Sequence, residues 1–413
     1  MAVVYDSSGF AQRVYNGDDA LKALLSKQED EPEVGETAMD KMLGFEKDRD
    51  VVFVIIGNGF DLECGLPTTY GDFLRFLEVI SKGQKGAISL NDKVYGNLLK
   101  KKFTSKNFRR QWRPVFENFW YKYFIEASIK QNWVDFEKEI ARVITMVENN
   151  TDLTRFHRFT MEDYVAGYES DTEMNHLLKL LHVKRRKTEK NPNGSDYIEY
   201  NILHEDLRNR LLQQLDAFIL GLEKYLDEYV ETIPVTPSAN ILFLMNKLKS
   251  AKRGYVISFN YTKTFERMIT AARIKAEFCY IHGKVDPSTN NDMVLGIDEH
   301  LNEEGIKNLI GFAPFRKYFQ RILKSTDSRY IDWLEEEKTI ESRLYVFGHS
   351  LGITDKDIIQ SFIKAPLMET MVFYHGETSL NSQIINLTAI IGMKEMVQRT
   401  GGKYRTLRFE KQK

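Results

Sequence analysis

The chain has 413 residues, 42% hydrophobic and 28% charged, the composition of a globular protein large enough for a well-buried core. Lys+Arg number 58 against Asp+Glu 59, and the net charge of -1 excludes a global field drawing the protein onto nucleic acid or membrane. Two cysteines, Cys64 and Cys279, exclude a disulfide framework and a four-cysteine zinc module.

Residues 1–50 read as an accessory segment. MAVVYDSSGF lacks the basic start and apolar core of a secretory leader. Asp19–Leu25 has the pattern of one or two helical turns, and SKQEDEPEVGETAMDKMLGFEKDRD that of a solvated linker. With no apolar run of about 18 residues to span a bilayer and few cysteines, the expected location is cytoplasmic, off the membrane.

Strand-like runs follow at Val51–Ile56, Gly254–Phe259, Phe278–Ile281, Met293–Leu295, Leu344–Phe347 and Met371–Tyr374. A continuous rather than alternating run such as VVFVII predicts a strand covered on both faces, as in a parallel sheet between helix layers. Between the first two runs the pattern is helical. FENFWYKYFIEASIK, WVDFEKEIARVITMVE and EDLRNRLLQQLDAFILGLEKYLDEYVETI each place apolar residues three and four apart. Within that block, KRRKTEKNPNGSDY reads as a polar loop, its run Lys184–Lys187 either touching nucleic acid or lying as solvated surface. The fold expected is α/β: a parallel sheet domain from 51–80 and 250–413, interrupted by a helical insertion over 81–249. Such sheets bind ligands at the carboxyl ends of their strands, so the loops there are where chemistry is sought.

Four of those loops carry motifs. Gly57-Asn58-Gly59, with Gly65-Leu66-Pro67 beyond, lets backbone N–H groups approach a diphosphate or forms a tight strand-to-helix turn; it is not a GxGxxG fingerprint. Asn260 ends the GYVISF run and either projects a donor and an acceptor into a cleft or caps the helix that follows. His282-Gly283 ends the next run and supplies either a general base or a buried histidine bonded to a carbonyl. Gly348-His349-Ser350-Leu351-Gly352 fits the G-x-S-x-G elbow of a serine hydrolase, with Asp355 or Asp357 and His375 to complete a triad in legal order. A fifth motif, Trp133–Glu137, has Asp135 placed to cap a helix and Glu137 to point inward.

Together these motifs resemble the sirtuin-like branch of Rossmann-type NAD-binding proteins. More closely, the ordered set GNGFDLxxGLPTxYxDF, WxDFE, FNYTxTxE, IHG and GHSLxxxD resembles the AbiH family of bacteriophage abortive-infection proteins. That resemblance implies a Rossmann-like, sirtuin-like sheet and an antiphage effector that hydrolyses NAD, as substrate, to nicotinamide and ADP-ribose without a metal. The catalytic pair implied is Asn260, orienting water or ribose, and His282, the general base. Gly57, Asn58, Gly59, Asp61, Gly65, Pro67, Gly283, Gly348, His349 and Ser350 would line the nucleotide. Partners implied are NAD or a related nucleotide, a phage-derived trigger and a second copy of the chain in a homo-oligomer. The chain departs from a sirtuin deacylase in having no zinc-binding cysteines. It departs again at Asp61, where a carboxylate beside a diphosphate would repel it; the acid either meets a ribose hydroxyl or argues against NAD. The alternatives are a nucleotide-sensing or nucleic-acid-engaging module without turnover and the Ser350 hydrolase.

Overall fold

The computed structural model describes residues 2–5, 11–14, 49–83, 98, 103–131, 135–149, 172–183, 185–187, 198–200, 204–286, 288, 292–297, 310–403 and 405–413. Near the amino terminus, β1 (Ala2–Tyr5) pairs antiparallel with β2 (Ala11–Val14); the helical turns expected at Asp19–Leu25 lie outside the described residues. The chain divides into two compact units, one built from Met1–Thr68, Leu226–Met293 and Ser325–Lys413, the other from Thr69–Tyr225 and Val294–Lys324.

The first unit is organised by a six-stranded, all-parallel sheet. Its central strand β3 (Val51–Ile56) is the VVFVII run, and all six residues are buried. Val51, Phe53 and Ile55 face one core, while Val52, Val54 and Ile56 face the other. Helices on both faces remove water from every side chain, so continuous apolarity is what this position requires. Each such burial stabilises by about 1.5–3 kcal/mol. On one face Ala239–Ser250 contributes Ile241, Leu244 and Leu248, and Thr264–Ala271 contributes Phe265 and Met268. On the other, Lys356–Ile363 contributes Ile359 and Phe362, and Glu377–Ile391 contributes Leu387 and Ile390.

The remaining strands of the sheet are β6 (Arg253–Ser258), β7 (Glu277–Tyr280), β8 (Ser342–Phe347), β9 (Met368–Tyr374) and β10 (Leu407–Lys411). Their spatial order is β10-β9-β8-β3-β6-β7. Read from β7, and ranked by chain position within this sheet, that is 3-2-1-4-5-6, the doubly wound order of dinucleotide-binding folds. The chain turns from one half to the other between β3 and β8, which pair from Val51↔Ser342 to Ile56↔Phe347. The loops after these two strands bound the topological switch point. The expected Rossmann-like parallel sheet between helices is the one observed.

The second unit is mainly helical, with Tyr70–Lys82, Lys106–Phe116, Phe119–Gln131, Phe136–Asn149 and His204–Tyr225 around an aromatic core. Phe136 stacks on Phe124 at 4.2 Å and on Tyr70 at 4.1 Å, and Phe73 meets Phe218 at 5.3 Å. Asp135 accepts from the amides of Glu137 and Lys138, so the WVDFE acid is a helix cap, and Glu137 pairs with the buried Lys317 at 2.9 Å. Part of the expected polar loop is β4 (Arg185–Lys187), paired antiparallel with β5 (Ile198–Tyr200); Lys184 and residues 188–197 lie outside the described residues.

One strand expectation fails. Met293–Leu295 is buried but does not form a strand. Leu295 donates its N–H to Gln320 Oε1 at 3.1 Å, and its carbonyl accepts from Gln320 Nε2 at 3.0 Å, so a side chain replaces the ladder.

Candidate functional site

The four loops singled out in the sequence come from carboxyl ends of parallel strands and lie in the first unit. Two of them close on one another at the switch point. Gly57 N–H donates to Phe347 O at 3.1 Å, Gly59 N–H to Gly348 O at 2.8 Å, and Phe60 N–H to Gly57 O at 2.8 Å. A Cβ on Gly57 would lie 2.8 Å from Gly348 O, one on Gly59 2.7 Å from Gly348 Cα, and one on Gly348 2.2 Å from Phe60 N. The glycines therefore permit loop-to-loop contact, and the amides expected to face a diphosphate at Gly57 and Gly59 are spent within the protein. The helix that follows, Asn58–Glu63, has six residues. Gly65, at φ +69, ends it, with Gly65 N–H on Leu62 O and Leu66 N–H on Asp61 O, and Pro67 follows. Exposed Asn58 accepts from the Thr68 hydroxyl at 2.7 Å.

Asp61 is 1% exposed and accepts from the Thr262 hydroxyl at 2.7 Å through Oδ2. Its Oδ1 is buried without a hydrogen-bond partner, and so is Nδ2 of Asn260, which is 5% exposed. Burial pushes the Asp61 carboxyl up to about 7; the Thr262 hydroxyl opposes the rise, the Glu231 charge adds to it, and Arg267 and the Asn260 amide pull it back. Near neutral pH this acid is partly neutral, which eases the conflict between a carboxylate and a diphosphate. Asn260 holds its place by a backbone exchange with Ser258, whose hydroxyl accepts the Asn260 N–H at 3.2 Å and donates to its carbonyl at 3.1 Å. The alternative of a helix cap does not form: Lys263 is the N-cap of Thr264–Ala271, without a side-chain bond.

His282, 6% exposed, stands beyond β7 with Nε2 3.0 Å from Asp355 Oδ1. Gly283, at φ +73, lets the turn press on the chain at Asp292, where a Cβ would lie 2.1 Å from the carbonyl oxygen. Beyond β8, His349 is 5% exposed, with Nε2 3.6 Å from Asp355 Oδ2. The Phe259 ring packs against both imidazoles, 4.3 Å from His349 and 5.5 Å from His282. Thr262, Phe259 and Gln383, whose amide donates to His349 O at 3.1 Å, were not marked by the strand-end pattern. Of these Phe259 and Thr262 lie in a quoted motif, FNYT, and Gln383 lies outside the quoted motifs.

Ser350 is exposed, and its carbonyl accepts from Asn386 Nδ2 at 2.9 Å. The positive φ angles of this loop fall on Gly348 and Leu351, not on the serine as the nucleophile elbow would have it. Asp355 faces His282 and His349 instead of His375, which is exposed on the loop after β9. The Ser350–His375 triad is therefore not assembled. Both thiols are pushed up by burial, Cys279 to about 12, which removes them as thiolate nucleophiles near neutral pH.

A groove of about 970 Å³ opens at the opposite, amino-terminal edge of β8 and β9, lined by Arg49, Glu341, Lys364 and Glu369 among others. Its charges neutralise each other, with Arg49 on Glu341 and Glu369 and Arg399 on Glu395. It holds none of the strand-end residues. Among the described residues no helix is long and apolar enough to cross a membrane, and no group of three or more His, Cys, Asp or Glu side chains could hold a metal ion.

No curated protein matches the chain. The family described as Bacteriophage abortive infection AbiH matches it over residues 53–374, from inside β3 to the end of β9. That span takes in every loop that carries the candidate site, and the chain belongs to the AbiH family of bacteriophage abortive infection.

Proposed function

We propose that this member of an antiphage family hydrolyses NAD to nicotinamide and ADP-ribose at the carboxyl edge of its sheet. The observation that carries this reading is the pair Asn260 Nδ2 and Asp61 Oδ1. They are a donor and an acceptor, both buried and neither in a hydrogen bond of normal geometry, Asn260 on the loop after β6 and Asp61 in the short helix after the adjacent strand β3, with the Asn260 amide near enough to draw the Asp61 carboxyl down. A buried polar atom left unsatisfied costs about 1–3 kcal/mol, a cost a fold keeps where a ligand supplies the missing bond. A ribose diol offers a hydroxyl to each, and the strand order and switch point are those of dinucleotide-binding sheets.

Water attacks C1′ of the nicotinamide ribose while the bond to nicotinamide breaks. The bonding pair goes to the ring nitrogen, nicotinamide leaves neutral, and the water's proton passes to His282. An oxocarbenium-like transition state with so good a leaving group calls for positioning and a base rather than a strong nucleophile. As written the step calls for no metal. With the Gly57 and Gly59 amides engaged, exposed Asn58 and Ser350 are the polar side chains that these loops offer to phosphate.

The test is the NAD pool of infected cells carrying the chain, its His282→Ala variant or neither. NAD is expected to fall on infection only with the intact chain, together with loss of phage yield. Protection from phage at a steady NAD level would favour a nucleotide sensor without turnover and end the hydrolase reading.

A further inference from the structure

His282 and His349 flank one carboxylate, and the hydrogen bonds around them separate their roles. Leu351 donates its backbone N–H to His349 Nδ1 at 2.9 Å. An amide nitrogen can only donate, so Nδ1 carries the lone pair and the ring proton sits on Nε2. That Nε2–H is the group facing Asp355 Oδ2 at 3.6 Å. Leu351 is fully buried and held at φ 55, which fixes its amide against the ring. His349 cannot take a proton on Nδ1 without losing that bond.

His282 is arranged differently. Its Nε2 lies 3.0 Å from Asp355 Oδ1, and an ionised carboxylate only accepts, so Nε2 bears the proton. Nδ1, an enclosed atom, then carries the lone pair of His282. Asp355 is 8% exposed and anchored by its own N–H on Gly352 O at 3.1 Å, and Thr354 Oγ1 stands 3.5 Å from Oδ2.

We propose that Asp355 is a positioning residue that fixes His282 as the Nε2–H tautomer and so makes Nδ1 the nitrogen that receives the proton of the attacking water. His349 stands beside the same carboxylate with its Nε2 3.6 Å from Oδ2, outside hydrogen-bond range, and its ring is held by the Leu351 amide in place of the nucleotide contact its sequence motif suggests. This rests on the reading of His282 as the base of NAD hydrolysis. A carboxylate that orients a catalytic imidazole is worth a large factor in turnover where it has been removed.

The experiment is a long-range ¹H–¹⁵N spectrum of the full chain labelled with ¹⁵N-histidine, at mildly alkaline pH, with His282→Asn and His349→Asn variants to assign the two rings. Both rings are expected as Nε2–H tautomers in the wild type, a result that needs no variant of Asp355 to fold. In Asp355→Asn the side-chain amide donates to Nε2, and the proton of His282 is expected to move to Nδ1. Nicotinamide release should then fall by at least about a hundredfold in kcat with KM little changed, and Asp355→Glu should restore part of it. An Nδ1–H tautomer at either ring in the wild type, or a His282 tautomer indifferent to Asp355→Asn, overturns the proposal. Correct tautomers in a protein that releases no nicotinamide would instead overturn the hydrolase reading and leave the Asp355–His282 geometry standing, so the two failures are distinguishable.

Discussion

Replacing Asp61 by Asn isolates the electrostatic state of the candidate ribose site. Asp61 is fully enclosed, and its carboxyl rises from an ordinary 3.8 to about 7, chiefly through burial. The folded protein therefore holds the Asp61 proton more tightly than the unfolded chain does. The associated stabilisation is complete below about pH 4, declines as pH rises and is gone above about pH 7. A rise of about 3 pH units at 1.36 kcal/mol each is roughly 4 kcal/mol across the whole window. Between about pH 5 and about pH 8 the part lost is on the order of 3 kcal/mol. Asp61→Asn keeps an oxygen to accept the Thr262 hydroxyl and has no charge to bury. Chemical denaturation of wild type and variant at the two pH values should show the variant gaining on the wild type by that amount at the higher pH. Parallel pH profiles for the two proteins would refute the reasoning, because they would mean that Asp61 ionises in the fold without penalty.

Gly348→Ala combines a φ of +68 with a Cβ 2.2 Å from Phe60 N, and should lower stability by about 3 kcal/mol or more, read as a fall in Tm. Glu137→Gln removes one carboxylate partner of the buried Lys317 ammonium and should lower stability, read as a fall in Tm, with part of the loss recovered in the double variant that also carries Lys317→Met.

What the sequence carried best was local. VVFVII announces a strand buried on both faces because no half-exposed strand tolerates six apolar residues in succession, and Asp135 caps a helix where its type and place predict. Strand β10 went unseen because Leu407 and Phe409 alternate with Arg408 and Glu410, and it pairs only with β9 at the sheet edge. Met293–Leu295 misled because burial there comes without a ladder, the backbone being satisfied by the distant Gln320. The same limit governs the site. That Asn260 and His282 stand at strand ends was legible, but the glycines' close approach is to a loop far away in sequence, and a pattern around Gly57 cannot show what Gly348 will occupy. Asp355 stands in the sequence as a candidate triad acid and as the last residue of GHSLxxxD, but its pairing with His282 was hidden because that imidazole arrives on the loop following β7.

NAD hydrolysis is tested by incubating the purified chain with NAD and following nicotinamide release, beside His282→Ala and Asn260→Ala, with NAD binding measured on the same samples. Release by the wild type, loss of at least about a hundredfold in both variants, and NAD still bound by His282→Ala are expected. Nicotinamide release undiminished in either variant, or none from a wild type that binds NAD, would contradict it.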